Sequence, residues 1–257
     1  MKIKARVVGR TKIDPNQFIT LDHVQVSDQD YSNRNLAMFT AIGSRLKQCH
    51  FTEARIAHAS FGAGREMSEY VDCSFDRIHV DYAGGHARFV RCSFRDVYIQ
   101  KWLAQSTELI DCAFSGRIDW AVFCSRIPIE RMRKDLRRER NEFRGNDFSN
   151  VRLVEPDFRD GIDLTEQRLP TGPEYLYVPD ALSAVKRLRS ALEDWDSSAE
   201  TRRHAFIWLH IFEEIVKRGQ KQLFLRPQSN YRLSEEAPER EALDKVFELL
   251  RGEAGGG

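Results

Sequence analysis

The chain has 257 residues, with 40 basic and 39 acidic residues and a formal net charge of +1. This balance excludes a global electrostatic field that would draw the whole molecule onto nucleic acid or an anionic membrane. The length allows one large domain or two medium domains, and either can bury a sizeable core.

The amino-terminal segment, residues 1–28, is expected to form a cap that precedes the main domain. Its first residues, MKIKARVVGRTKI, lack the apolar core of a signal peptide. No apolar run reaches the length of about 18 residues that a membrane-spanning helix requires. We therefore expect a soluble, cytoplasmic protein that does not associate with membranes.

A five-residue step between apolar side chains predicts the architecture of residues 29–165. The step links Tyr31, Leu36, Ala41, Leu46, Phe51, Ile56 and Phe61, and it returns at Phe143, Phe148, Leu153 and Phe158. This spacing fits neither a helix, with a period near 3.6, nor a flat strand, with a period of 2. A coil with four short sides fits it, with one inward residue at the centre of each side.

A cysteine and a phenylalanine two residues later recur about once per coil, and both are expected to point inward. The predicted interior columns contain Cys49, Phe51, Cys73, Phe75, Cys92, Phe94, Cys112, Phe114, Phe148, Leu153 and Phe158. Successive coils stack at about 4.8 Å, so each coil completes the core of its neighbour. The five cysteines include no C-x-x-C pair, which favours free buried thiols over disulfides or a zinc ribbon.

These repeats resemble the pentapeptide-repeat family, whose units follow a loose A-[D/N]-[L/F]-x-x pattern. The best single match is Asn146-Asp147-Phe148-Ser149-Asn150, and the resemblance covers the segment 29–165. The resemblance implies a right-handed, four-sided β-helix. It also implies dimerisation through carboxy-terminal helices and, as in one subset of the family, imitation of duplex DNA that modulates DNA gyrase.

The segment from about 128 to 141 breaks the five-residue step and predicts a helix inserted between coils. Pro128 suits a first helical position, and helical spacing relates Ile129, Met132, Leu136 and Phe143. The candidate contacts to a partner or to phosphate are Arg126, Arg131, Arg133, Lys134, Arg137, Arg138, Arg140 and Arg144. Clustered arginines make charge-assisted bonds to phosphate or carboxylate groups. The alternative is a solvated helix face, partly neutralised by pairs such as Glu130 with Lys134.

The composition changes after residue 165. Residues 166–178 are expected to form a turn-rich linker, residues 179–252 a small α-helical domain, and residues 253–257 a disordered tail. The predicted fold class is therefore mainly β, with a four-sided solenoid that contains an inserted helix, followed by a small all-α C-terminal domain.

The C-terminal domain is predicted to contain three helices. Asp180 is expected to cap the first, and Ser197 or Ser198 to cap the second, from about 199 to 218. The third runs from about 236 to 251. The second helix is apolar around much of its circumference, so we expect its neighbours to cover it, or a second copy of the chain in a homodimer.

The sequence contains none of the catalytic or cofactor-binding signatures that we sought. The seven histidines form no H-x-x-x-H or H-E-x-x-H pair, and phosphate-loop, dinucleotide and hydrolase motifs are absent. We therefore expect no catalytic residues, no cofactor and no metal site.

The leading functional hypothesis is a non-enzymatic protein-interaction or scaffold module. It would use the β-helix surface, the basic insertion or the C-terminal helices. One alternative is a DNA mimic that modulates gyrase, which the basic insertion disfavours. The other is nucleic-acid binding through that insertion, which would weaken steeply with salt.

Overall fold

The computed structural model describes residues 17–227 and 237–252, and the chain divides into two compact units. The first unit comprises residues up to 154 together with 164–170, and the second comprises 155–163 together with the residues from 171 onward. The first unit is a parallel β-solenoid of about 5 turns. The second is mainly helical.

Two sheets build the solenoid, and each strand pairs with its equivalent in the next coil. The larger sheet contains, in spatial order, β1 (Phe18–Asp22), β3 (Asn35–Ile42), β5 (Arg55–Ala63), β7 (His79–Gly85), β9 (Ser93–Ala104), β11 (Ala113–Cys124) and β13 (Asp147–Arg159). The smaller sheet contains β2 (Gln25–Ser27), β4 (Arg45–Lys47), β6 (Ser68–Val71), β8 (Ala87–Val90), β10 (Glu108–Ile110) and β12 (Phe143–Arg144). The pairings from β1 to β11 and from β2 to β12 are parallel.

Inward side chains fill the solenoid as stacked columns. The eleven residues predicted to point inward are all buried, and none is more than 6% exposed. Phe94 stacks on Phe114 with ring centroids 4.9 Å apart. The cysteines are free and buried, and the Cys92 thiol donates to the main-chain oxygen of Tyr70 at 3.4 Å. Burial raises the pKa of Cys92 well above its ordinary value, which suits an inert thiol.

The solenoid begins earlier than the sequence predicted. β1 and β2 lie within residues 17–28, which were expected to form a cap, and they pair with β3 and β4. Ile19, Leu21 and Val26 alternate with exposed neighbours and are buried, so this segment supplies a coil of its own. The rest of the predicted cap, residues 1–16, and the predicted tail, 253–257, lie outside the described residues.

The inserted helix is present but shorter than the predicted span of 128–141. It is α1 (Glu130–Leu136), so Pro128 precedes it instead of starting it. The helix ends because Arg137 adopts the left-handed conformation, with φ of 52°. Phe143 lies in β12, one strand of the smaller sheet, and not on the helix.

The second unit contains the three predicted helices. They are α2 (Ala181–Glu193), α3 (Ala199–Lys217) and α4 (Ala237–Arg251). Both predicted caps are confirmed, since Asp180 accepts a hydrogen bond from the main chain of Ser183, and Ser198 accepts one from Thr201. No helix in the described ranges is both long and apolar enough to cross a membrane.

Two features near the predicted linker differ from the sequence prediction. An antiparallel pair of strands, β14 (Leu176–Val178) and β15 (Leu223–Leu225), accompanies the helices, which an all-α domain would lack. Within the first unit, a short 3-10 helix, Leu164–Glu166, is followed by Arg168, whose main chain hydrogen-bonds to Asn146. The predicted linker, residues 166–178, therefore contributes to ordered elements, because its main-chain groups hydrogen-bond to neighbouring segments.

Candidate functional site

The outward face of the larger sheet carries a continuous row of large side chains, one from each of six strands. The strand register aligns Phe18, Met38, His58, Tyr82, Lys101 and Trp120. Register neighbours in such a sheet lie about 4.8 Å apart. We call these six residues the outer row.

The outer row is rich in exposed apolar and aromatic surface. Phe18 is 44% exposed and Met38 is 40% exposed. The rings of His58 and Tyr82 lie with centroids 6.0 Å apart, and the Lys101 ammonium lies 4.5 Å from the centroid of Trp120. Contiguous apolar surface of this kind marks interaction sites on soluble proteins, whereas single exposed hydrophobic residues do not.

A second outward row flanks the first and is largely compensated in charge. It contains Asn35, Arg55, His79, Tyr98 and Arg117. His79 Nε2 lies 3.0 Å from Asp81. Asp119 pairs with Arg117 and accepts a hydrogen bond from the Tyr98 hydroxyl at 2.9 Å. This face therefore presents hydrogen-bonding groups without a strong field of one sign.

A cavity of about 350 Å³ opens beside the middle of the outer row. Gly84 creates it, because this residue occupies the outward position between Ser60 and Leu103 in the strand register and carries no side chain. A Cβ atom placed on Gly84 would lie 3.4 Å from the main-chain oxygen of Leu103, an ordinary contact. Met132 of α1 also lines the cavity, so the insertion contributes one wall.

His86 is the most constrained polar side chain of this cavity. Its Nδ1 lies 2.6 Å from Ser106 Oγ, which also lies 3.3 Å from the main-chain oxygen of Gly85. The Ser106 hydroxyl has a single proton, so either Ser106 or His86 Nδ1 is the donor of the 2.6 Å contact, and in both cases the contact fixes the orientation of the ring. Burial and, to a lesser extent, the charge of Arg138 lower the pKa of His86, so the ring is neutral at pH 7.

The serine beside this histidine is buried. Ser106 is only 3% exposed, and its Oγ contacts both His86 and the main-chain oxygen of Gly85. A nucleophilic serine needs an accessible oxygen that gives its proton to the imidazole. The Ser106–His86 contact instead fixes the orientation of the ring.

Buried ion pairs attach the insertion to the solenoid and remove Arg138 from the predicted contact surface. The Arg138 guanidinium donates to the Glu108 carboxylate and to the main-chain oxygen of Ser106. Arg88 contacts the same carboxylate at 2.7 Å and also contacts Glu142 at 3.0 Å. Arg138 is 17% exposed and Glu108 is 7% exposed. Arg138, which the sequence predicted as a partner contact, therefore has its guanidinium engaged inside the protein.

The remaining basic residues of the insertion do not form one uninterrupted patch. Arg133 donates to the main-chain oxygen of Ile127 at 2.6 Å. Three others have acidic neighbours: Lys134 with Glu130 at 2.7 Å, Arg144 with Glu142 at 2.7 Å and Arg131 with Asp135 at 3.8 Å. Among the predicted contact residues, all of which the structure describes, the exposed guanidinium groups without a carboxylate partner are those of Arg126, Arg137 and Arg140. The surface available to phosphate is therefore smaller than the sequence indicates.

The second unit exposes apolar side chains on its longest helix. Leu209 and Phe212 of α3 are buried in the core of this unit, whereas Ile207 is 50% exposed and Ile211 is 40% exposed. Ile207 and Ile211 are one turn apart and so lie on one face of the helix. One side of α3 is covered within the unit, and the opposite side is not.

The comparisons with known proteins assign no function to this chain. No family model, curated protein or solved structure matches the chain. Among the residues that the structure describes, no three or more His, Cys, Asp or Glu side chains are grouped to hold a metal ion.

Proposed function

We propose that this chain is a non-enzymatic protein-interaction module of the pentapeptide-repeat family, which binds another protein through the outer row. The observation that carries the proposal is the continuous register of Phe18, Met38, His58, Tyr82, Lys101 and Trp120 across six strands. The four-sided, right-handed form of the β-helix is part of the same proposal. The five-residue step and the stacked phenylalanine columns support it.

The composition of the outer row suits recognition of a protein. Aromatic residues and methionine are enriched in protein interfaces, and tryptophan and tyrosine are frequent binding hot spots. Trp120 and Tyr82 each offer a large apolar face with a polar group at its edge. The carboxylate of Asp119 compensates Arg117, and Asp81 places a further carboxylate beside His79, which disfavours a polyanionic partner.

The solenoid also holds this row in a fixed arrangement. Every strand of the row has a buried side chain directly beneath the surface, such as Phe39 in β3 and Ile99 in β9. A rigid surface loses little conformational entropy on binding, so more of the contact energy appears as affinity. The stability of the coils therefore supports the proposed role of the face.

The proposal is tested by capture of partners with matched surface variants. Tagged full-length chain is used to capture proteins from the cells that produce it, and the captured protein is then purified and titrated. Met38→Asp places a charge in the outer row, and Gln25→Asp places one at an exposed position of β2. We expect Met38→Asp to weaken binding at least about tenfold, or about 1.4 kcal/mol, and Gln25→Asp to leave it unchanged. Equal affinity for both variants would reject the outer row as the docking surface.

We also propose that α3 forms a homodimer interface, which the exposure of Ile207 and Ile211 favours. Two copies of the same helix face can cover each other in a two-fold arrangement. Sedimentation of Ile207→Asp/Ile211→Asp should show monomers where the unmodified chain shows dimers. Ser190→Asp, an exposed change on α2, is the control. A monomeric unmodified chain would reject this interface.

A further inference from the structure

We propose that the cavity beside the outer row binds a small, uncharged, planar heteroaromatic molecule with hydrogen-bonding groups on its edge, as a nucleobase has. Nothing in this inference requires a protein partner, so it goes beyond the proposed docking function. It stands on the lining of the cavity, on the absence of a side chain at Gly84 and on the fixed orientation of His86.

The size and lining of the cavity favour a flat apolar ring. Its volume of about 350 Å³ lies in the range of small-molecule sites, which are mostly apolar with a few placed polar groups. The phenol ring of Tyr82 and the side chains of Met38, Leu103 and Met132 contribute to its walls. Thioethers make favourable contacts with aromatic rings, so two methionines beside a tyrosine favour a planar guest over a puckered sugar.

The lining also indicates a guest without formal charge. It contains no Asp, Glu, Lys or Arg, although 31% of the residues in the chain are charged. The charges that act on His86 from outside the lining are those of Arg138, which Glu108 compensates, and Asp135, which pairs with Arg65 and Arg131. A charged guest in such a cavity would lose hydration without gaining an ion pair.

One polar atom defines the hydrogen bond that the guest must make. His86 Nδ1 is occupied by Ser106, and Nε2 makes no hydrogen bond to the residues that the structure describes. Nε2 is therefore available for a hydrogen bond with a polar group on the edge of the guest. The hydroxyl of Ser60 and the amide of Gln105 also line the cavity and can meet further polar atoms on the edge of a heterocycle.

The test titrates the purified full-length chain with adenosine, guanosine and uridine by calorimetry or ligand-observed NMR. We expect at least one nucleoside to bind with a Kd below about 1 mM. Gly84→Val should weaken that binding at least about tenfold by filling the cavity. The main chain at Gly84 lies outside the left-handed region, and its Cβ would make only ordinary contacts, so this variant should fold. Gln100→Val, at an exposed position of β9, should bind as the unmodified chain does.

Two further probes and one further variant define the chemistry. Tyr82→Ala removes the aromatic wall of the cavity and should also weaken binding at least about tenfold. This second variant distinguishes loss of the binding site from a local structural effect of valine at position 84. Glucose, neutral but not planar, should not bind, and AMP should bind no more tightly than adenosine. The proposal is overturned if none of the three nucleosides binds, if Gly84→Val retains full affinity, or if glucose or AMP binds more tightly. Because no partner protein is used, failure of the docking proposal would not affect these readings.

Discussion

The rings of Phe75 and Phe94 are stacked with centroids 4.7 Å apart and planes inclined by only 6°. These residues occupy the same position in successive coils, and both are buried. Each ring therefore completes the packing of the coil above and the coil below. A column of this kind couples the stability of neighbouring coils through direct side-chain contact.

Replacement of Phe94 by alanine should reduce the free energy of unfolding by about 3–5 kcal/mol, because it opens a cavity between Phe75 and Phe114. Urea unfolding followed by circular dichroism measures this change. Gln100→Ala, at an exposed position of the same strand, should have a free energy of unfolding within about 0.5 kcal/mol of that of the unmodified chain. Equal stability of the two variants would contradict the inward position of Phe94.

The five-residue step predicted the interior of the solenoid, because burial imposes a strict pattern on inward residues such as Phe51 and Phe94. The outward rows could not be predicted in the same way. Their register depends on the number of residues in each coil, and the coil from Met38 to His58 is shorter than the coil from His58 to Tyr82. Outward residues also face no packing constraint that would give them a repeated identity.

The two adjacent glycines of β7 should respond differently to substitution by alanine. Gly85 has φ of 114°, and a Cβ atom there would lie 2.5 Å from the main-chain oxygen of Gly62. The positive φ alone should reduce the free energy of unfolding of Gly85→Ala by about 1–3 kcal/mol, and the close approach of the Gly62 backbone adds to this loss. Gly84→Ala meets no such contact, so its free energy of unfolding should lie within about 0.5 kcal/mol of that of the unmodified chain. Thermal unfolding of the pair provides the measurement, and equal losses would argue against the cavity geometry.

Arg138 should be more important for stability than any exposed cation of the insertion. Arg138→Met leaves the buried carboxylate of Glu108 with Arg88 as its remaining cation, and we expect a loss of about 3 kcal/mol. Lys134→Met removes an exposed pair with Glu130 and should change stability by less than about 0.5 kcal/mol. Urea unfolding of both variants tests the difference. A larger loss for Lys134→Met would contradict the assigned roles.

Stability should fall in mild acid because of His86. Its pKa is lowered in the folded protein by burial, so the unfolded chain binds a proton at a higher pH than the folded chain does. The contribution of His86 is therefore fully present above its ordinary pKa of 6.5 and is lost as the pH falls toward the lowered pKa. Unfolding free energies measured between about pH 7.5 and pH 5.5 should fall more for the unmodified chain than for His86→Gln. Parallel curves for the two proteins would show that His86 is not held in its neutral form.

The candidate site illustrates which features sequence reasoning missed. The sequence placed Arg138 among the partner contacts because the charge pattern of a helix does not reveal a tertiary partner such as Glu108. The predicted helix was too long because Arg137 ends it through a left-handed conformation, which is uncommon for arginine. The adjacent Gly84 and Gly85 are a signal for close backbone approach or missing surface, but they do not specify a cavity without the register of β9.

The outer row exists only if Met38 lies directly beside His58 in the sheet. Met38→Cys/His58→Cys places two outward thiols at neighbouring register positions, within the Cα separation of about 4.4–6.8 Å that a disulfide spans. Met38→Cys/Ser60→Cys is offset by two residues on the same face, and the native cysteines are buried. On mild oxidation, mass spectrometry should detect an intramolecular disulfide rapidly in the first variant and little in the second. Equal or preferential cross-linking of the Met38 and Ser60 positions would contradict the register and, with it, the surface on which both proposals depend.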